Sequence, residues 1–240
     1  MSPRASETPV TTSGAADVRA MFTRIAGRYD LMNTLMTAGR HHAWRRTVAR
    51  TVAAAPAGPV LDLATGTGDL ARAIAGQSSD RLVVGADFSE AMLRRARAKL
   101  GTRGTRVALL AADARALPFP ARTFACVTSA FLLRNLGDLE GGLVEMRRVT
   151  RPGGCVVTFD IVRPAVPVWG ALFGLYFHHV VPVIGALVAG DRQAYTYLPQ
   201  SVDRFPRPAA LADLMLAAGL RDVRWRTLGL GTVALHVARA

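Results

Sequence analysis

From Pro59 to Val162 the chain alternates short runs of consecutive apolar residues with longer stretches in which apolar residues recur every three or four positions. The runs PVLDLA, RLVVGADFS, RVALLAAD, FACVTSAFLL and GCVVTFDIV are short and uniformly apolar, so they predict strands buried on both faces. Between them, GDLARAIAGQ, EAMLRRARAKL and LEGGLVEMRRVT predict helices. In the second helix Met92, Leu93, Ala96 and Leu100 share one face, and RPGG predicts a turn before the fifth strand. Strands and helices in strict alternation predict an α/β fold: a mostly parallel sheet with helices on both faces. Such a sheet binds ligands at the carboxyl ends of its strands.

The flanks have other patterns. Residues 1–16 are polar and rich in Pro, Ser, Thr and Gly, which predicts a disordered leader without the apolar core of an export signal, and hence a cytoplasmic protein. In MFTRIAGRYDLMNTLMTAGRHHAWRR the apolar residues Phe22, Ile25, Leu31, Met32, Leu35 and Met36 fit one face of an amphipathic helical cover. His41 and His42, beside Trp44 on this basic stretch, read as surface or interface residues. The run from Val166 to Val188 is long enough to be mistaken for a membrane span, but Pro167, Pro182 and the paired His178 and His179 argue against one. Residues 17–240 read as one domain, with a helical segment over 17–52 and an apolar insertion over 164–205.

Composition changes this picture at two points. The 240 residues carry 30 Lys+Arg against 17 Asp+Glu, a formal net charge of +13, which suits an anionic partner or simply a solvated surface. The arginines are scattered, as at Arg94 and Arg95, without the aromatic-interleaved cluster of a nucleic-acid module, so an anionic membrane surface is the better candidate. Cys126 and Cys155 each fall in an apolar strand-like run and read as reduced core thiols. No metal-ligand spacing occurs in the sequence.

The candidate chemistry begins in VLDLATGTGDLARAIA, where a buried strand ends in Asp62 and is followed by Ala64, Gly66, Thr67 and Gly68. Small residues there let a ligand approach the backbone. Asp62 and Asp69 flank the loop where a pyrophosphate would be repelled, so a cationic ligand fits better than a dinucleotide. S-adenosylmethionine, with an ammonium and a sulfonium, is such a ligand. Asp87, ending VVGAD with Phe88 after it, is placed to hold ribose hydroxyls. Asp113 and Ala114, after the third strand, are placed for the adenine edge.

The sequence resembles the ubiquinone and menaquinone biosynthesis C-methyltransferases, within the class I S-adenosylmethionine-dependent methyltransferases. LDLATGTGDLA, ADFSEAML, ALPFPARTFACVTSAFLLRNLGD, EMRRVTRPGG, LVAGDRQAYTYLPQSVDRFP and GTVALH carry the resemblance, with the N-terminal segment from Met21 to Arg46. The portions LRN and YTYLPQS are more specific than the cofactor loop. The resemblance implies a Rossmann-like sheet ending in an antiparallel hairpin, a helical lid over 17–52, and methyl transfer to a ring carbon of a polyprenylated quinol, most simply demethylmenaquinol. It further implies cofactor contacts from Asp62, Ala64, Gly66, Thr67, Gly68, Asp87, Phe88, Asp113, Ala114 and Ala130. Acceptor contacts would come from Tyr29, Phe131, Asp160, Tyr195 and Tyr197, with Asp30 and Asn33 also in the lid. The chain departs from the family pattern at Ala130, Leu132 and Asp160.

Ring methylation requires a phenolic proton to leave and the methyl to lie in line with the accepting carbon. Arg134 and Asn135 follow strand four and are the catalytic candidates: Arg134 to stabilise the developing phenolate, directly or through a water, and Asn135 to orient the acceptor oxygen. A plainer reading pairs Arg134 with Asp138 as a helix cap. The apolar insertion would sheath the prenyl tail or dip into a bilayer surface, giving peripheral membrane association. Two other functions stay open: methylation of another lipophilic aromatic acceptor, and a non-catalytic module binding RNA or a partner on the same fold. Oligomeric state is not legible, a homodimer being one option.

Overall fold

A computed structural model describes residues 14–77, 80–101 and 106–240. The expected leader lies, through residue 13, outside the described residues. Helix α1 (Ala15–Ile25) already begins inside the stretch assigned to that leader, where the Asp17 carboxylate accepts the Gly14 N–H at 3.1 Å.

Helices α2 (Tyr29–Thr37) and α3 (Arg40–Ala53) follow, and then β1 (Val60–Leu63), α4 (Asp69–Ala75), β2 (Val83–Asp87), α5 (Glu90–Leu100), β3 (Val107–Ala111), β4 (Phe124–Ala130), α6 (Leu139–Val149) and β5 (Thr150–Ile161). The strands form one seven-stranded sheet in the order β3-β2-β1-β4-β5-β7-β6, where β6 (Arg221–Leu228) and β7 (Val233–Arg239) make the C-terminal hairpin. Strands β1 to β5 are parallel, and β7 pairs antiparallel to β5 and β6. The predicted fold class is therefore the observed one. The strand order reverses between β1 and β4, so a crevice opens at their carboxyl ends.

Alternate residues of the central strands face two apolar layers. Leu61, Leu63, Val127 and Val156 pack with Leu143, Met146 and Met215 on one face; Val60, Cys126, Val157 and Phe159 pack with Val48, Val52, Leu70 and Ile74 on the other. Burial on both faces explains why these strands read as continuous apolar runs. Cys126 and Cys155 are free thiols, both buried, facing each other across β4 and β5.

Two local expectations change. Strand four does not run on to Leu133: it ends at Ala130, because Phe131 enters the left-handed region with φ 64° and turns the chain into a 3-10 turn, Leu133–Asn135. The RPGG stretch is not a turn before β5 but an irregularity inside it. Pairing with β4 starts at Thr150, shifts register, and resumes at Cys155, with Gly153 at φ 73°.

The apolar run after β5 is one continuous helical rod, Pro167–Ala189, despite Pro182. It comprises α7 (Pro167–Leu175), a π turn (Tyr176–Val180), α8 (Val181–Ile184) and a second π turn (Gly185–Ala189). In the first π turn the Val181 N–H reaches back to the Tyr176 carbonyl. This wider register accommodates the proline that a regular α-helix would reject. Helix α9 (Arg192–Arg204) folds back against the rod. A third apolar cluster joins the N-terminal helices to both through Met21, Ile25, Met32, Phe177, Val181, Tyr195 and Val202. Helix α10 (Pro208–Ala217) returns the chain to the hairpin.

Candidate active site

At the end of β1 the backbone turns through positive φ at Ala64 (55°), Gly66 (57°) and Gly68 (81°). The two glycines differ in what they require. A Cβ on Gly68 would stand 3.2 Å from the Ala96 Cβ of α5, whereas a Cβ on Gly66 would enter open space. The loop is pinned by backbone bonds from Thr65 N–H to the Ala86 carbonyl (3.0 Å) and from Gly68 N–H to the Thr65 carbonyl (2.9 Å).

The strand-end carboxylates have different surroundings. Asp87 is buried and accepts N–H bonds from Gly66 and Ser89, both at 2.8 Å; burial raises its pKa, and the two bonds pull against that rise. Asp62 is also buried and accepts the Thr65 hydroxyl at 2.7 Å on Oδ2, while Oδ1 has no partner. Burial pushes its pKa up to about 7. A buried carboxylate with a free oxygen is what a cationic ligand would complete. Asp113 is more exposed and is held by the Arg115 guanidinium at 2.7 Å, which lowers its pKa.

Asp87, Phe88, Ala112, Asp113, Ala114, Ala130 and Met92 line a narrow cleft together with Ala64 and Gly66. Asp62, Thr67 and Asp69 line a smaller hollow beside it. Nearly all the expected cofactor residues thus meet in one place. Thr67 is already engaged, donating to Asp30 Oδ1 at 2.7 Å and accepting from Lys99 Nζ at 3.0 Å.

A larger cavity of about 510 Å³ opens next to the cleft, between α1–α3, the Phe131 turn, the Pro167–Ala189 rod and α9. Its walls are mostly apolar and aromatic, including Met36, Trp44, Trp169, Phe173 and Leu198. Phe22, Tyr29, Phe131 and Asn135 line both spaces and mark where they meet. Tyr195 and Tyr197 also reach the larger cavity, whereas Asp160 does not; it stands behind Arg134.

The local turn explains that arrangement. The left-handed Phe131 stacks edge-on against Phe159 at 5.3 Å and sends its N–H to the Phe159 carbonyl, leaving its own carbonyl to accept from Arg134 Nη1 (2.9 Å) and Asn135 Nδ2 (3.0 Å). Arg134 Nη1 also bonds Asp160 Oδ1 at 2.6 Å, with both side chains buried. The plainer reading of Arg134 is thereby corrected: Asp138 caps α6 by accepting the Gly141 N–H, and the arginine pairs with Asp160 instead. Arg134 Nε, Asn135 Oδ1, Asn33 Nδ2 and the Tyr195 hydroxyl are buried without partners. Burial raises the Tyr195 pKa, so its hydroxyl keeps its proton.

His41 overturns the expectation of a surface residue: it is 2% exposed and lines the larger cavity. Burial, followed by the positive charge of Arg45, pushes its pKa down to about 4, so the ring is neutral. Its Nδ1 accepts from Arg45, which leaves Nε2 to donate to the Thr34 hydroxyl at 3.1 Å. His42 remains exposed beside it. Trp44, Arg45 and Lys99 were not singled out as site residues by the sequence pattern, since polar or lone aromatic residues on helices carry no periodic signal of their own.

Fold and site together define a class I S-adenosylmethionine-dependent methyltransferase. Two solved structures show the same fold: a possible histamine N-methyltransferase of Thermotoga maritima, with TM-score 0.67 and 19% identity over 92% of this chain and 98% of that one, and human N-acetylserotonin methyltransferase in complex with S-adenosylmethionine, with TM-score 0.64 and 16% identity over 97% and 60%. The pattern of the ubiE/COQ5 methyltransferase family matches residues 10–240, and the chain belongs to that family. It is 45% identical over 217 residues to the demethylmenaquinone methyltransferase of Thermus thermophilus, covering 90% of this chain and 98% of that one. It is 41% identical to the ubiquinone/menaquinone biosynthesis C-methyltransferase of Desulfotalea psychrophila, covering 91% and 88%.

Proposed function

We propose that the protein methylates a ring carbon of a polyprenylated quinol, with demethylmenaquinol as the first acceptor to test. The observation that carries this reading is the pairing of a 510 Å³ apolar cavity with a few unpartnered polar atoms where it meets the cofactor cleft. The names of the relatives agree with it. The apolar walls suit a ring and the start of its tail, while Arg134 Nε, Asn135 Oδ1 and the Tyr195 hydroxyl suit the ring oxygens.

S-adenosylmethionine supplies an electrophilic methyl group when bound. Asp87 would hold its ribose hydroxyls, and Asp62 its ammonium, which completes the unpaired Oδ1. Arg134 does not accept the phenolic proton, because a guanidinium is a donor only. It stabilises the phenolate once the proton has left to water, and Asp160 fixes its fork for that task. Asn135 and the protonated Tyr195 orient the other oxygen. Release of S-adenosylhomocysteine across a panel of benzoquinols, naphthoquinols and lipophilic phenols tests the reading. Turnover confined to phenols without the quinol pattern would replace it.

Peripheral membrane association extends the proposal. Val168, Leu172, Leu175, Val183 and Leu187 follow one another at helical spacing and are all exposed, while Phe177, Val181 and Gly185 on the opposite face pack inward. Together with the net charge of +13, this stripe suits reversible contact with an anionic leaflet on the cytoplasmic side. Binding to anionic vesicles that weakens with added salt is expected. Indifference to vesicles at low salt would assign the stripe elsewhere.

A further inference from the structure

Of the 30 Lys+Arg residues in the chain, one alone is lysine: Lys99, in the last turn of α5. Its ammonium meets three acceptors from three separate segments. They are Asp30 Oδ2 of α2 at 2.7 Å, Thr67 Oγ1 of the glycine-rich loop at 3.0 Å, and Asp69 Oδ1 at the start of α4 at 2.6 Å. Thr67 in turn donates to Asp30 Oδ1 at 2.7 Å, so the helical cover and the loop are joined both directly and through the ammonium. Lys99 itself lies in the wall of neither the cleft, the hollow nor the larger cavity.

The cluster continues into a closed ring of contacts. Asp69 Oδ2 faces Arg45 Nη1 at 3.3 Å, Arg45 bonds His41, His41 bonds Thr34, and the Thr34 hydroxyl donates to the backbone carbonyl of Asp30 at 2.9 Å. Burial of Asp69 opposes its ionisation, but the Lys99 bond and the Arg45 charge outweigh it and hold its pKa low. Two neighbours make the ring relevant to ligand binding. Asp30 follows Tyr29, which faces both spaces, and Thr67 follows Gly66, whose N–H is held by Asp87.

We infer that Lys99 is a positioning residue that latches the helical cover onto the cofactor loop and so sets the affinity for S-adenosylmethionine without touching it. Three acceptors converging on one point need a compact ammonium with three divergent N–H donors; a planar guanidinium fork presents its donors in one plane and a wider span. Lysine therefore stands here for its shape as well as its charge. The inference rests on the cofactor and not on the quinol, so no acceptor enters the test.

The experiment compares Lys99→Arg, Lys99→Met and, as a control, Arg97→Met on the same helix. Amide hydrogen exchange is followed in the ligand-free protein, and S-adenosylmethionine binding is followed by calorimetry. Both Lys99 variants are expected to exchange residues 29–37 about tenfold faster, with β4 and β5 unchanged, and to bind the cofactor roughly five- to tenfold more weakly. Arg97→Met should match the parent. Asp30→Asn combined with Lys99→Met should be no worse than Lys99→Met alone, because both break the same contact. Parental exchange and affinity in Lys99→Arg would overturn the inference, as would exchange accelerated equally in the strands, which marks plain destabilisation. Faster exchange with unchanged affinity would overturn the claim that the latch sets binding. Absence of cofactor binding by the parent would count against the cofactor assignment and leave the exchange result to judge the latch.

Discussion

The narrow cleft proposed for the cofactor and the larger cavity share four residues but are built on opposite plans. In the cleft the key groups are fixed by backbone: Asp87 by two N–H bonds, Gly66 and Gly68 by loop conformation, and Asp62 by its place at the end of a strand buried between neighbours. The larger cavity is assembled from side chains on additions to the sheet, α1–α3, the Pro167–Ala189 rod and α9, and several of its polar atoms have no partner. A site made by the sheet can be altered only by breaking the strand ends. One made by additions can be changed residue by residue while the sheet is kept.

The comparison can be broken first on the cleft side. Asp87→Ala should weaken S-adenosylmethionine binding by about 2–4 kcal/mol, since charge-assisted bonds are worth roughly 1.5–3 kcal/mol each and water recovers part of the loss. Calorimetry that finds parental affinity would remove Asp87 from the site. On the cavity side, Arg134→Lys should cut turnover by about 10²-fold while changing either KM little, because the charge stays but leaves its place beside the phenolate. Parental kcat would reduce Arg134 to a structural partner of Asp160.

A smaller and more selective effect is expected from replacing Trp169 and Phe173 together by Ser. Both line the larger cavity; Trp169 donates to the Leu230 carbonyl at 2.9 Å, and Phe173 stacks on Phe177. Activity on long-tailed quinols should fall roughly tenfold while a tail-less quinol is still methylated, in keeping with the loss of apolar contact. Equal loss on both acceptors would show that the pair only holds the fold.

Close to neutral pH the smallest effect is that of pH itself. With the Asp62 pKa at about 7, the carboxylate must lose a proton before it can receive an ammonium, so cofactor affinity should fall by up to about tenfold per unit below pH 7 and level off above it. The same group makes the ligand-free fold less stable as pH rises from about 4 to 7, because the folded state holds the proton that the unfolded state has released. Asp62→Asn should flatten both profiles, read by calorimetry and thermal melts.

Legibility in the sequence follows the same division. The strands announced themselves because burial on both faces makes continuous apolar runs, and Asp62 and Asp87 stood out as acids ending such runs. The turn at Phe131 did not, since an aromatic residue at positive φ has no sequence signature and is held there by Phe159 on the neighbouring strand. Nor did the partner of Arg134: Asp160 is 26 residues away and arrives through the register of β4 with β5. His41 looks like a surface residue among arginines, and only the closing of α1–α3 over the cavity buries it. The π turns that take up Pro182 in the rod were not legible either; beside them Gly185 lies so close to Tyr195 of α9 that a Cβ would stand 2.4 Å from its ring.

Phe22 and Tyr29 form walls of both spaces and belong to the same helical cover. If donor and acceptor occupy the two spaces as proposed, they share one cover, and moving it to exchange a spent donor would also expose the acceptor. In kinetic language the two products would then leave in a coupled step, and a bound molecule of S-adenosylhomocysteine would hold the acceptor side idle as well as its own. Flux through such an enzyme would follow the ratio of fresh to spent donor, slowing as the spent form accumulates even when acceptor is abundant.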